Sequence, residues 1–118
     1  MDRIARHKHS EWTRLLGVVS QDLHAHGLNF VFGEADAAHG VAVFSLARLR
    51  ENTSSRAADE RFRRRVATEA IHELAHTYGL GHCTDQRCVM WFSNTLSETD
   101  RKGTKFCAAH RAELAARL

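Results

Sequence analysis

The sequence predicts an α+β domain, α/β-like in layout, with a small mixed sheet packed on one long helix. Three observations carry this expectation. Two short runs rich in aromatic and β-branched residues, 28–32 and 41–49, lie in the first half of the chain. Residues 56–78 repeat apolar side chains at spacings of three and four. Residues 83–106 have no period, and the tail 107–118 is built from strong helix formers. A chain of 118 residues can bury one core, so a single domain spanning 1–118 is expected.

The elements follow in order. Residues 3–16 place Ile4, Trp12, Leu15 and Leu16 near one side of a helix. Gly17 ends it, and Val18 and Val19 open a short strand. Residues 24–27 read as a turn, 28–32 as a strand, and 33–40 as a loop with glycine at both ends. The run 41–49 reads as a strand buried on both faces. Residues 52–55 offer N-cap side chains. The long helix then carries Phe62, Val66, Ala70, Ile71, Leu74, Ala75 and Tyr78 as a wide apolar stripe. Gly79 and Gly81 end it.

Composition excludes several classes. Apolar residues at 43% and charged residues at 26% are ordinary for a globular domain and argue against disorder. No apolar run reaches the roughly 18–20 residues needed to span a bilayer. The start, MDRIARHKHS, has no apolar stretch behind its charges, so no secretory signal is expected. Arg61, Arg63, Arg64 and Arg65 read as a solvated face, and the interleaved Asp59, Glu60 and Glu69 disfavour nucleic acid as a partner. His7, His9, His24 and His26 read as surface residues, because no acidic or cysteine partner completes a site. Three cysteines without a signal point to metal ligation or free thiols in a reducing cytoplasm.

The chemistry concentrates in His72-Glu73-Leu74-Ala75-His76-Thr77-Tyr78-Gly79-Leu80-Gly81-His82. His72 and His76 are four apart, so both imidazoles leave one helix face and can share one ion. Glu73 lies about 100° round the helix and can reach a metal-bound water without ligating. Gly79 permits a sharp exit, after which His82 can return as third ligand. Three neutral imidazoles leave a fourth position open to water, the layout of a catalytic zinc. A second group follows: Cys83, Cys88, Cys107 and His110 suit a closed, structural zinc. The alternative for that group is three buried thiols.

These residues, with the CVM of 88–90, FSNTLSETDRKGTKFC of 92–107, and upstream LNFVFGEAD and VAVFSLARL, resemble the archaemetzincins, a branch of the metzincin zinc peptidases. The resemblance spans residues 15–110. It implies a minimal metzincin-like zincin fold and zinc-dependent hydrolysis of peptide substrates. It also implies two Zn²⁺ per chain, one catalytic on His72, His76 and His82 and one structural. Glu73 is then the general base, and Met90 the methionine of the Met-turn beneath the zinc. Cys83, Cys88 and Cys107 match three of the family's four structural-zinc cysteines, and His110 stands at the fourth. Asp100 and Lys102 match the family's D-x-K stretch, read as a pair that fixes the loop. Trp91 and Phe92 are expected to pack beneath the zinc, and substrate to lie along a sheet edge, with 28–32 the first candidate. By this resemblance the chain is expected to lack the family's first N-terminal strand, which opens the alternative of a catalytically inactive or truncated zinc- and peptide-binding module. No membrane association is expected.

Overall fold

The computed structural model describes residues 5–6, 8–9, 13–24 and 30–118. Among these, three strands and three helices follow one another: β1 (Leu15–Val19), β2 (Gly33–Asp36), β3 (Val41–Ser45), α1 (Arg56–Thr77), α2 (Leu96–Lys102) and α3 (Ala108–Arg117). The fold is α+β with a mixed sheet, as the sequence predicts. β3 is central. β1 pairs with it in parallel, from Leu15 opposite Val41 to Val19 opposite Ser45. β2 pairs on the other side, antiparallel, from Gly33 opposite Phe44 to Asp36 opposite Val41. Every residue of β3 is buried, which matches the apolar run 41–44, and the Ser45 hydroxyl at its end donates to the Gln21 carbonyl (2.6 Å).

The first half departs from the expected boundaries. The helix expected over 3–16 cannot run to its end, because Leu15 and Leu16 belong to β1 and Thr13 and Arg14 are not helical. The Leu15 N–H is committed to the Gly40 carbonyl (3.0 Å), a partner far away in sequence. Residues 3, 4, 7 and 10–12 of that helix, including Ile4, His7 and Trp12, lie outside the described residues, as do 25–27 of the expected turn and 28–29 of the expected strand. The rest of 28–32 forms only an isolated bridge, Val31 with Leu23. The strand proper is Gly33–Asp36, inside the expected loop. A tight return makes it one: Asp36 accepts from the His39 N–H (3.3 Å), and Gly40 sits at φ +66°. That hairpin sets the register of β2, although its sequence is polar. β3 stops at Ser45, where the Leu46 N–H is taken by the Val19 carbonyl (2.8 Å) and the chain turns, so 46–49 is not strand.

The long helix matches its expected span. Ser55 caps it by accepting from the Ala58 N–H (3.1 Å), and Tyr78 closes it. α1 separates two apolar clusters. Phe62, Val66 and Ala70 pack against Phe32, Phe44 and Leu49. Ala75, with partly buried Ile71 and Tyr78, packs against Leu80, Cys88, Val89 and Met90. Full burial of a residue such as Phe44 or Leu49 contributes about 1.5–3 kcal/mol each. Most of the expected stripe packs against these clusters, but of its residues only Ala75 is buried, and the helix's other buried positions include Arg65, Thr68, Glu69, His72 and Glu73.

Two expectations after residue 60 need correction. The arginine run is not wholly a solvated face. Arg63 and Arg64 are exposed and Arg61 pairs with Glu51, but Arg65 is buried. Its guanidinium holds both Asp100 oxygens at 2.8 Å and donates to the Leu49 carbonyl at 3.0 Å. A guanidinium tolerates burial when its fork is filled this way. Asp100 accordingly pairs with Arg65. Residues 83–106 are not all loop, because α2 interrupts them. Its start has the sequence of a capping box with a shifted return bond: Thr95 accepts from the Glu98 N–H (3.2 Å), and Glu98 accepts from the N–H of Asn94, one residue before the cap (3.0 Å).

Candidate active site

The last turns of α1 project His72, Glu73 and His76 toward β2. The helix ends where Gly79 takes φ +92° and donates to the His76 carbonyl (2.9 Å). That turn returns the chain, so His82 joins the other two. The ring centroids lie 4.6 Å (His72–His76), 4.8 Å (His76–His82) and 5.4 Å (His72–His82) apart.

Hydrogen bonds fix how two of the rings point. His72 Nδ1 lies 2.7 Å from the Val89 carbonyl, and His76 Nδ1 lies 2.7 Å from the Leu80 carbonyl. A carbonyl only accepts, so both Nδ1 atoms carry the proton and both Nε2 atoms present lone pairs. Those Nε2 atoms are 3.1 Å apart. Two bare acceptors repel at that distance, whereas tetrahedral zinc with bonds of about 2.0–2.1 Å holds two nitrogens about 3.3 Å apart. Burial pushes His72 down to about 2, with Lys102 adding to the effect, and burial also lowers His76 and His82. The three imidazoles are neutral near pH 7, the state a metal needs. The donor set therefore fits a catalytic zinc, and the three form one of the two groups among the described residues that could hold an ion.

Glu73 is buried, with Oε1 4.0 Å from His72 Nε2. Burial, reinforced by the nearby Glu69 carboxylate, pushes it up to about 8. A Cβ on Gly33 would lie 2.6 Å from Glu73 Oε2 and 2.7 Å from the Val43 carbonyl, so only glycine lets β2 approach this carboxylate. A cleft of about 560 Å³ opens along β2 over the three histidines and Glu73. The sheet edge beside it is β2, with Val31 and Phe32 the only part of the expected 28–32 segment placed there among the described residues.

Beneath the histidines lies a charged pair that sequence reasoning did not place in the site. Lys102 Nζ is fully buried, donates to the Trp91 carbonyl (2.7 Å), and lies 3.4 Å from Glu69 Oε1 and 3.3 Å from His72 Nδ1. Thr99 Oγ1 donates to the same Glu69 oxygen (3.1 Å). Burial drives Glu69 up and Lys102 down, so each holds its charge mainly through the other. Met90 is completely buried beside Ala75 and Leu80. Phe92 packs on the His82 ring (4.9 Å between centroids), while Trp91 Nε1 turns away and donates to Glu98 (3.1 Å).

The second group assembles as well. The ligand atoms of Cys83, Cys88, Cys107 and His110 all lie within 4.8 Å of one another. Cys83 and Cys107 sulfurs are 3.8 Å apart, far beyond a disulfide bond and equal to the roughly 3.8 Å that tetrahedral zinc–sulfur bonds of about 2.3 Å impose. Backbone N–H groups point at each sulfur: Asp85 at Cys83 (3.4 Å), Cys107 at Cys88 (3.3 Å) and His110 at Cys107 (3.4 Å). Donors aimed at sulfur favour thiolates. The His110 N–H, at the start of α3, helps hold the Cys107 thiol down at about 6, while burial pushes Cys83 up to about 11.

The model of peptidase family M54 matches residues 6–116. An archaemetzincin of Methanopyrus kandleri is 50% identical over 97 residues, which cover 82% of this chain and 53% of that protein. One of Archaeoglobus fulgidus is 47% identical over 92 residues, covering 78% and 54%. The chain thus spans about half the length of the curated relatives it matches. Among solved structures, Methanopyrus kandleri archaemetzincin superposes with TM-score 0.85 at 45% identity, covering 96% of this chain and 60% of that one. A zinc-dependent peptidase from Methanocorpusculum labreanum gives TM-score 0.80 at 36% identity, covering 86% and 53%.

Proposed function

This chain belongs to peptidase family M54, and on that premise we propose that it hydrolyses peptide bonds as a zinc metallopeptidase. The observation that carries the reading is the convergence of two lone-pair-bearing Nε2 atoms and the His82 ring beside a buried carboxyl, in one cleft along a sheet edge. His72, His76 and His82 hold the ion. Bound zinc supplies Lewis acidity, which polarises a carbonyl and makes water more acidic. The chain's own residues do the rest. Substrate lies extended beside β2, where backbone groups at a sheet edge can pair with it. Glu73 takes the proton of the attacking water and returns it to the leaving amine. Its high proton affinity suits it to hold that proton between the two transfers, and a bound cation would draw the affinity back toward neutrality. The Val89 and Leu80 carbonyls keep His72 and His76 in the tautomer that ligates.

A second ion, on Cys83, Cys88, Cys107 and His110, is structural in this reading. The set has no open position, and the histidine completes it in place of a cysteine. Reduced cysteines fit a reducing compartment such as the cytoplasm, and no helix among the described residues is long and apolar enough to cross a membrane.

The test is Glu73→Gln. The variant is expected to keep its full zinc content while peptide turnover falls about 10²–10⁴-fold, the usual worth of a general base. Substantial turnover in the zinc-loaded variant would overturn the role of Glu73. No turnover by the wild-type chain loaded with zinc, across a diverse peptide mixture, would overturn the enzymatic reading.

A further inference from the structure

The three cysteines are not equivalent. Cys88 is 1% exposed, and its sulfur faces two N–H donors, from Cys107 (3.3 Å) and Met90 (3.5 Å). Cys83 and Cys107 are only half-buried, and their sulfurs lie 3.8 Å apart. A chain with three cysteines can close one internal disulfide and no more. The Cys83 and Cys107 sulfurs are the pair that a small oxidant in solution can reach, because Cys88 is sealed. A disulfide needs its sulfurs about 2.0 Å apart, so one side must move. Cys107 is anchored as the N-cap of α3, where its sulfur accepts from the His110 N–H (3.4 Å). Cys83 sits in a stretch without helix or strand. Gly81, His82, Thr84 and Asp85 around it are exposed, and a Cβ on Gly81 would meet nothing within 4 Å. The Cys83 side is therefore the one that gives, and His82 is its neighbour in the chain.

We propose, building on the zinc peptidase reading, that Cys83 and Cys107 form an oxidation switch: a peroxide joins them in a disulfide, the cysteine group releases its zinc, and His82 is drawn away from His72 and His76. The Cys107 sulfur, at the start of a helix, attacks one oxygen of hydrogen peroxide. An S–O bond forms, the O–O bond breaks and hydroxide leaves. The Cys83 sulfur then attacks the Cys107 sulfur. The S–S bond forms, the S–O bond breaks and a second hydroxide leaves. Two protons, from the thiols or from solvent where the sulfurs start as thiolates, complete two waters. The sulfurs lose two electrons and the peroxide gains them. Two donors then remain, the Cys88 sulfur and the His110 ring, too few for a closed structural zinc. A cysteine in place of His110 would leave two thiolates, whereas this chain keeps one.

The zinc-loaded full-length chain is titrated with hydrogen peroxide up to about two equivalents. Released zinc is read with a chromogenic chelator, and the linked cysteines by peptide mass spectrometry without reduction. Release of one zinc per chain is expected, with a mass loss of two hydrogens and Cys83 joined to Cys107. The zinc affinity of the histidine site, measured by chelator competition, should fall at least about tenfold, the usual cost of disturbing what supports a metal ligand. Dithiothreitol with added zinc should restore all three. Cys83→His keeps four donors and cannot form this link, so its zinc should survive the same treatment. Zinc content and circular dichroism before treatment show whether that variant has folded, and if it has not, the disulfide map and zinc release of wild type decide alone. A disulfide through Cys88, sulfinic acid in place of a disulfide, zinc kept by the oxidised cysteine group, or equal zinc loss from folded Cys83→His overturns the switch. Unchanged histidine-site affinity in the disulfide form overturns its reach to His82. If wild type cleaves no peptide, the peptidase reading fails, while zinc release and the Cys83–Cys107 link still decide the switch.

Discussion

Replacing Lys102 with methionine should be among the most destabilising single changes in this molecule. Methionine keeps much of the length of lysine and removes its charge and donors, so the loss is electrostatic rather than a cavity. The Lys102 side chain is 0% exposed and that of Glu69 3%, so neither partner can fall back on water. The substitution leaves the Trp91 carbonyl without its 2.7 Å donor and Glu69 without its cation. Breaking a buried ion pair by deleting one partner costs about 3–5 kcal/mol. A domain of this size has only about 5–15 kcal/mol in total. With a urea slope of about 1.5 kcal/mol/M, the midpoint should fall by about 2–3 M. The assay is urea unfolding followed by far-ultraviolet circular dichroism at fixed zinc and protein concentration, since bound metal adds its own stabilisation. The double variant Lys102→Met/Glu69→Leu removes both charges and should recover much of the loss, because two apolar side chains can pack where two charges had to pair. A cost below about 1 kcal/mol for Lys102→Met, or a double variant as unstable as the sum of its singles, would refute the reasoning.

Two other outcomes are expected. Gly33→Ala puts a Cβ 2.6 Å from Glu73 Oε2 and 2.7 Å from the Val43 carbonyl, so either β2 or Glu73 must move. Such overpacking costs about 1–3 kcal/mol, and kcat should fall with little change in KM, a split that steady-state kinetics would show. Elemental analysis of the purified chain should give two zinc ions, falling to one in His76→Ala. A single zinc that survives His76→Ala would mean that the histidine site does not hold metal.

Much of the site was legible because its logic is local. His72, Glu73 and His76 occupy a helix whose period is plain in the sequence, and Gly79 marks where it must end. Cysteine count and spacing likewise pointed to the second cluster, which the fold brings together. The missed features are set by distant partners. β1 begins at Leu15 because β3 offers it a ladder: Gly17, Val18 and Val19 signalled a strand, but nothing in Leu15 and Leu16 separates them from the end of a helix. β2 has a polar sequence and owes its register to the hairpin at its end. Arg65 meets Asp100 across 35 residues, and Glu69 meets Lys102 across 33, so a basic run and a lone lysine gave no sign of burial. α2 is a different case. Its Thr95…Glu98 capping box is a local signal present in the sequence, overshadowed by the lack of apolar period around it.

The two candidate metal groups are mechanically one structure. His82 and Cys83 are consecutive, so the third imidazole is carried on the backbone of the cysteine cluster. The Cys83 N–H donates to the Met90 carbonyl (2.9 Å), which ties that backbone to the segment of Cys88, Val89 and Met90. The same short segment faces both ways. Cys88 turns its sulfur to the cluster, Val89 gives its carbonyl to His72, and Trp91 gives its carbonyl to Lys102. No helix or strand covers residues 83–94, so regular secondary structure does not hold these carbonyls in place. Something else must, because a buried carbonyl that drifts loses its partner and its orientation of the imidazole together. Backbone hydrogen bonds supply part of that restraint, the Val89 N–H to the Lys105 carbonyl (2.8 Å) among them, and an ion on Cys83, Cys88, Cys107 and His110 would add a cross-link that fastens the segment to α3. The proposed structural ion therefore acts on the histidine site through the Val89 carbonyl and the placement of His82.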